Sequence, residues 1–130
     1  FIVIGGGGGG IPVVRNGNGD LVGIEAVIDK DHTSALLANA LGMDYLVILT
    51  EVEFAFLNFN STHPEPIRLA KVEAMRQYLA AGQFAQGSMK PKVEAALNFL
   101  KAGGRRAIIA GLFDLRLALE GKTGTHILAD

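Results

Sequence analysis

Three short stretches of this chain carry residue types suited to holding an anion. The first is Gly5–Gly10, six consecutive glycines after the apolar run Phe1–Ile4. Without side chains in the way, their backbone N–H groups can approach an anion closely. A Walker-type loop would continue into Lys-Ser or Lys-Thr, but here the glycines lead into Ile11-Pro12. The loop therefore reads as another kind of anion cradle or as a flexible turn. The second stretch is Asp29-Lys30-Asp31, where a helical pattern starts. Either aspartate can cap the helix. A functional reading has Lys30 meeting phosphate while a carboxylate orients another lysine, since helix N-termini favour anions. The third is Gly87-Ser88-Met89-Lys90-Pro91-Lys92. Lys92 falls in the first turn of a helix, where a cation opposes the helix dipole. That placement points to an anionic ligand, with a solvated lysine as the alternative.

The remaining reactive side chains offer less. His32, His63 and His126 share no metal-ligand spacing, so no side-chain metal site is expected. Ser34 and Ser88 lack a neighbouring histidine, and capping explains Ser88 as well as catalysis would. Tyr78, Phe84 and Phe99 read as core or pocket wall.

Elements that would position these residues are legible in the pattern. Phe1–Ile4, Tyr45–Thr50 and Arg106–Ala110 are short β-branched runs, apolar throughout or nearly so, and read as buried strands. Thr125–Ala129 reads as a last strand. Asn16-Gly17 is a hairpin signal between Ile11–Val14 and Leu21–Glu25. Helices are expected from about His32 to Leu41, Lys71 to Ala81, Pro91 to Lys101 and Asp114 to Leu119, most of them stopped by glycine. In the first, Ser34, Leu37, Ala38 and Leu41 mark the expected inward face. Phe54–Phe59 reads as a short strand or buried loop, and Asn60–Pro66 as an exposed loop. Strands alternating with helices give an α/β class with a mainly parallel sheet, whose ligands bind at the carboxyl ends of the strands.

Composition narrows the field. The 130 residues include 12 Lys+Arg and 13 Asp+Glu, for a net charge of −1, so a cationic face for nucleic acid or a membrane surface is not expected. Hydrophobic residues make up 49%, enough to build a core. With no cysteine, disulfides, thiol nucleophiles and thiolate–zinc sites are excluded. The apolar runs are shorter than the roughly 20 residues that cross a bilayer. No charged segment precedes the first run, so the cytosol is the expected compartment. A domain seldom opens directly in a strand-like run, so this chain is expected to be a piece of a larger protein.

Several strings together resemble carbamate kinase, of the amino acid kinase superfamily. They are GGGGIPV (Gly7–Val13), EAVIDKD (Glu25–Asp31), VILT (Val47–Thr50), LNF (Leu57–Phe59), FAQGSMKPKVEAA (Phe84–Ala96) and GGRRAIIA (Gly103–Ala110). Glu51, Glu53, Phe54, Gln83 and Gln86 depart from the usual pattern. The resemblance implies a three-layer αβα sandwich and a reversible reaction, ATP + carbamate ⇌ ADP + carbamoyl phosphate, with Mg²⁺. It implies that residues 1–130 are a single nucleotide-binding domain or half-domain. The N-terminal, carbamate-binding half is absent, so the chain alone is expected to be inactive. Asp31 would orient the active-site lysines, Lys30 would contact phosphate, and Lys92 would neutralise the transferring phosphoryl group. Thr50, Ala85, Gly87, Ser88, Met89 and Lys92 would border the nucleotide. Gly7, Gly8, Gly9 and Gly10 would lie near carbamate and the phosphoryl group. Homodimers and a place in arginine fermentation or in purine or allantoin breakdown are implied as well. The alternatives are another enzyme of the superfamily, acting on an amino acid or UMP, and a nucleotide-binding module without turnover.

Overall fold

The computed structural model of the chain describes residues 1–129. Its frame is a four-stranded sheet. Strands β3 (Tyr45–Thr50) and β7 (Arg106–Gly111) pair in parallel, from Tyr45 opposite Arg106 to Thr50 opposite Gly111. Strand β8 (Thr125–Leu128) runs antiparallel on β7, and β6 (Leu69–Lys71) lies parallel on β8, giving the order β3-β7-β8-β6. Two small antiparallel hairpins stand apart: β1 (Val13–Arg15) with β2 (Leu21–Gly23), and β4 (Ala55–Leu57) with β5 (Glu65–Ile67). Two of its three pairings are thus parallel, as expected, and the antiparallel β7–β8 pairing makes the sheet mixed. The β7–β8 link is antiparallel because no helix intervenes in the sense a parallel crossover needs: the short α4 (Leu115–Leu119) only reverses the chain.

Alternation along β3 and β7 sorts their side chains onto two faces. Leu46, Ile48, Ala107 and Ile109 join Ile127 under α1 (Lys30–Ala40), α2 (Val72–Ala80) and α3 (Met89–Lys101). Val47, Leu49, Ile108 and Ala110 face Ala118 of α4. Helices therefore lie on both faces, but the second helical layer is only five residues long. Phe99, Met75 and Val93 are fully buried and fill the thicker layer.

Three expectations are corrected. Phe1–Ile4 forms no strand: all four side chains are exposed, because a strand apolar on both faces needs partners on both, and this run meets none among the described residues. In α1 the inward residues are Asp31, Ala35 and Ala38, while Leu37 and Leu41 stay exposed. Small side chains allow α1 to lie against α3, where leucines would hold the helices apart. Asn60–Pro66 is not wholly loop, since Glu65 and Pro66 open β5 against β4. Strand β6 was not expected at all: Leu69-Ala70-Lys71 is too short for a pattern and is set by its neighbour β8.

One buried hydroxyl fixes the β4–β5 hairpin to the sheet. Thr125 Oγ1 donates to the Ile67 carbonyl at 2.5 Å and accepts from the Ala55 N–H at 2.8 Å, so it grips both strands at their base. Thr125→Val keeps the shape and leaves both groups unpaired. A loss of about 1–3 kcal/mol in urea unfolding is expected, with Thr125→Ser retaining most of the stability.

Candidate functional site

Helix α1 begins where the sequence places a cap. Asp29 is extended, and its Oδ1 accepts from the Asp31 N–H at 2.9 Å and the His32 N–H at 3.0 Å. The His32 N–H bond is the main cause that holds the Asp29 carboxyl below its ordinary value; partial burial pulls the other way. This cap starts the helix one residue before Asp31 and turns the Asp31 side chain inward.

Inside, Asp31 Oδ2 accepts from Lys92 Nζ at 2.8 Å, across 61 residues of sequence. The Asp31 side chain is 8% exposed and that of Lys92 11%. Lys30 Nζ stands 3.6 Å from the other carboxylate oxygen with its side chain 65% exposed. The three residues that the resemblance put in one cluster are therefore together, one lysine buried and one exposed. Lys92 lies in the first turn and a half of α3, which has no acidic residue in its first turn. Ser88 is the residue before α3, yet its side chain makes no capping bond, so capping does not account for it. The turn before it is held by backbone bonds from Ser88 N–H and Lys90 N–H to the Ala85 carbonyl.

A cavity of about 610 Å³ opens beside this helix start. Thr50 and Glu51 line it from the carboxyl end of β3, and Ala85, Ser88 and Met89 from the α2–α3 connection. Four of the six residues expected to border a nucleotide thus share one cavity. Gly87 sits in the same turn without lining it, and Lys92 lies three residues past Met89, about 4.5 Å along the helix axis. The position agrees with the rule that ligands bind at the carboxyl ends of strands.

Of the aromatic wall, sequence reasoning anticipated Phe84 and missed the other three rings. Phe54, Phe56 and Phe59 line the cavity together with Phe84. Phe54 and Phe56 meet edge to face at 6.1 Å between centroids, and Phe56 and Phe59 are tilted at 5.9 Å. The signal was the aromatic density of Phe54–Phe59, three rings in six residues around the short strand β4. Two of the departing residues have structural partners: Glu53 accepts from the Thr123 hydroxyl, and Gln83 Oε1 accepts from the Asn58 N–H at 2.9 Å. That bond supports a turn in which Asn58 has a φ of 51°, the left-handed region that asparagine tolerates.

Gly5–Gly10 is exposed except for Gly9. Gly9 N–H bonds the Gly6 carbonyl at 3.0 Å, and the Gly9 carbonyl accepts from Thr33 Oγ1 of α1 at 2.6 Å. A Cβ on Gly9 would come within 2.7 Å of the Ile28 carbonyl, at a φ of 125°. The loop therefore rests on the same helix start that carries Asp31. Among the described residues, no three His, Asp or Glu side chains gather as metal ligands, and no helix is long and apolar enough to cross a membrane.

A sheet with helices on both faces and a cavity at its strand ends, with one buried and one exposed lysine close by, defines an α/β protein. The family model of the amino acid kinase family matches residues 2–111, and the chain belongs to that family. Within it, carbamate kinase of Thermoplasma volcanium is 52% identical over 94% of this chain and 40% of its own length. Carbamate kinase of Staphylococcus haemolyticus is 50% identical over 97% and 41%. The structure of Giardia lamblia carbamate kinase bound to AMP-PNP superposes with a TM-score of 0.90 at 43% identity, covering 95% of this chain and 43% of that one. The chain spans about two fifths of the length of the relatives it matches.

The cap at Asp29 gives a pH prediction. Its carboxyl is held below the ordinary value in the folded state, so its stabilisation is present above the unfolded value and fades as pH falls through the folded one. Asp29→Asn keeps a capping oxygen and should flatten the stability loss below about pH 4. Asp29→Ala should cost about 0.5–2 kcal/mol at pH 7, read from urea unfolding across pH.

Proposed function

We propose that the complete protein is a carbamate kinase, catalysing ATP + carbamate ⇌ ADP + carbamoyl phosphate, and that this chain supplies its nucleotide-binding part. The observation that carries the reading is the buried Asp31–Lys92 pair beside an aromatic-walled cavity, on a chain 52% identical to a carbamate kinase. In the forward direction the bond from the γ-phosphorus to the ADP oxygen breaks and a bond to a carbamate oxygen forms. Such a transfer asks the protein chiefly for positioned positive charge, not for a covalent intermediate.

Each residue has a part in that scheme. The cavity takes the base and sugar between Phe54, Phe56, Phe59 and Met89, bordered by Thr50, Ala85, Gly87 and Ser88. Lys92 presents its ammonium to the transferring phosphoryl group, and Asp31 keeps that ammonium in one place. Lys30, exposed and held only loosely, follows the phosphate. Gly7–Gly10 lie on the carbamate side and contribute backbone N–H groups there other than that of Gly9, which is bonded to the Gly6 carbonyl. Mg²⁺ would arrive on the nucleotide phosphates, and no side chain of this chain is assigned to it. The substrates are therefore ATP or ADP with carbamate or carbamoyl phosphate, and neither nucleic acid nor membrane is a partner. We also propose a cytoplasmic homodimer; the exposed side chains of Leu112, Phe113, Leu117 and Leu119 support association.

A second reading applies to the 130 residues alone. All the glycines of their loop but Gly9 are exposed, and the groups that would complete the phosphoryl site are assigned to the rest of the complete protein. The isolated chain is then a nucleotide-binding module without turnover.

Coupled measurement of ATP formation from ADP and carbamoyl phosphate tests both. The complete protein should turn over at about 1–10³ s⁻¹, and the chain alone should bind ADP weakly and form no ATP. Turnover by the complete protein with acetyl phosphate, an amino acid or UMP, but not with carbamoyl phosphate, would place it in another branch of the family. Fast turnover by the isolated chain would overturn the division of labour.

A further inference from the structure

We propose that Thr33 is a positioning residue: its hydroxyl is the catch that holds the glycine loop against the lysine-bearing end of α1. This inference rests on the phosphoryl-transfer reading above. Thr33 Oγ1 has one proton and two carbonyls in reach, Gly9 at 2.6 Å and Asp29 at 3.1 Å. The Asp29 carbonyl already accepts from the Thr33 backbone N–H at 3.1 Å, so the hydroxyl proton goes to the nearer Gly9. Gly9 is the one buried residue between Phe1 and Ile11.

Six successive glycines lose more backbone freedom on ordering than any other six residues, so few contacts decide whether such a loop stays in place. Two are visible here: the internal Gly9–Gly6 turn and the Thr33 hydroxyl. Gly9 also packs close to Ile28, but among the described hydrogen bonds it is the Thr33 hydroxyl that ties the loop to the rest of the fold. It does so from the turn of α1 that holds Asp31, two residues earlier, and hence Lys92. The catch thus sets the loop amides and the fixed ammonium in one register. Release leaves no orphaned hydroxyl, since Thr33 can turn back to Asp29, the ordinary bond of a helical threonine to the carbonyl four residues before it. The β-branched side chain is stiff at χ1, which holds Oγ1 where both carbonyls are in reach.

The test compares Thr33→Val and Thr33→Ser with the unaltered complete protein. Millisecond amide exchange over Gly5–Ile11 should quicken at least tenfold in Thr33→Val and stay within threefold in Thr33→Ser. In ATP formation, Thr33→Val should lower kcat/KM for carbamoyl phosphate at least tenfold, with KM for ADP within twofold, and Thr33→Ser should restore it. Unchanged exchange in Thr33→Val overturns the proposal. So does a rise in KM for ADP that matches the loss with carbamoyl phosphate, which would mean general damage to the site. If the unaltered protein forms no ATP, the kinase reading fails, and the exchange comparison by itself decides whether Thr33 holds the loop.

Discussion

Two opposite charges 2.8 Å apart and almost wholly removed from water impose a condition on everything around them. Neither Asp31 nor Lys92 can be left alone, because an uncompensated buried charge costs about 3–5 kcal/mol. Their attraction at a protein-like dielectric is of similar size, about 4 kcal/mol at 4 Å. The pair therefore survives only if α1 and α3 stay in register, since one partner comes from each. Ala35 and Ala38 permit that close approach, and the Asp29 cap fixes where α1 begins. Val93, Leu97 and Leu100 seat α3 on the sheet. What looks like a local ion pair is thus the point at which two helices and the sheet must agree.

The site is assembled from ends rather than from middles. The carboxyl end of β3, the amino end of α1, the amino end of α3 and the β4–β5 hairpin converge on one side of the sheet. The helix starts favour negative charge, and the lysines add to it. The hairpin supplies an apolar wall and is held at its base by Thr125. One wall for an aromatic ring system and one corner for phosphate fit a nucleotide better than either would fit a wholly apolar or wholly ionic ligand.

Much of this was legible before any coordinates. Tyr45–Thr50 and Arg106–Ala110 are strands, as their apolar runs suggest; β7 is buried on both faces from Ala107 onward, whereas β3 buries Leu46 and Ile48 and leaves Tyr45 exposed on the other face, and Gly42 closes α1 with a φ of 64°. The Lys92–Asp31 meeting was expected from a resemblance, while the oddity of a lysine in the first turn of a helix pointed only to an anionic ligand. Other features were out of reach for physical reasons. Leu37 and Leu41 suggested a helix face, but helix-on-helix packing chose alanines. Phe1–Ile4 has strand chemistry without a strand's neighbours. Strand β6 and the direction of β8 depend on tertiary pairing that three or four residues do not encode. The other three rings of the aromatic wall were overlooked because Phe54–Phe59 reads equally as core. Thr33 gave no signal, since its partner lies 24 residues away in a loop without side chains.

The central claim is that Asp31 holds Lys92 where charge changes during phosphoryl transfer. Steady-state kinetics of Lys92→Ala in the complete protein measures this most directly, with ADP binding as the check that the variant is folded. A group acting mainly in the transition state should lower kcat by about 10²–10³ while KM for ADP moves less than about threefold. A folded Lys92→Ala protein with unchanged kcat would contradict the account.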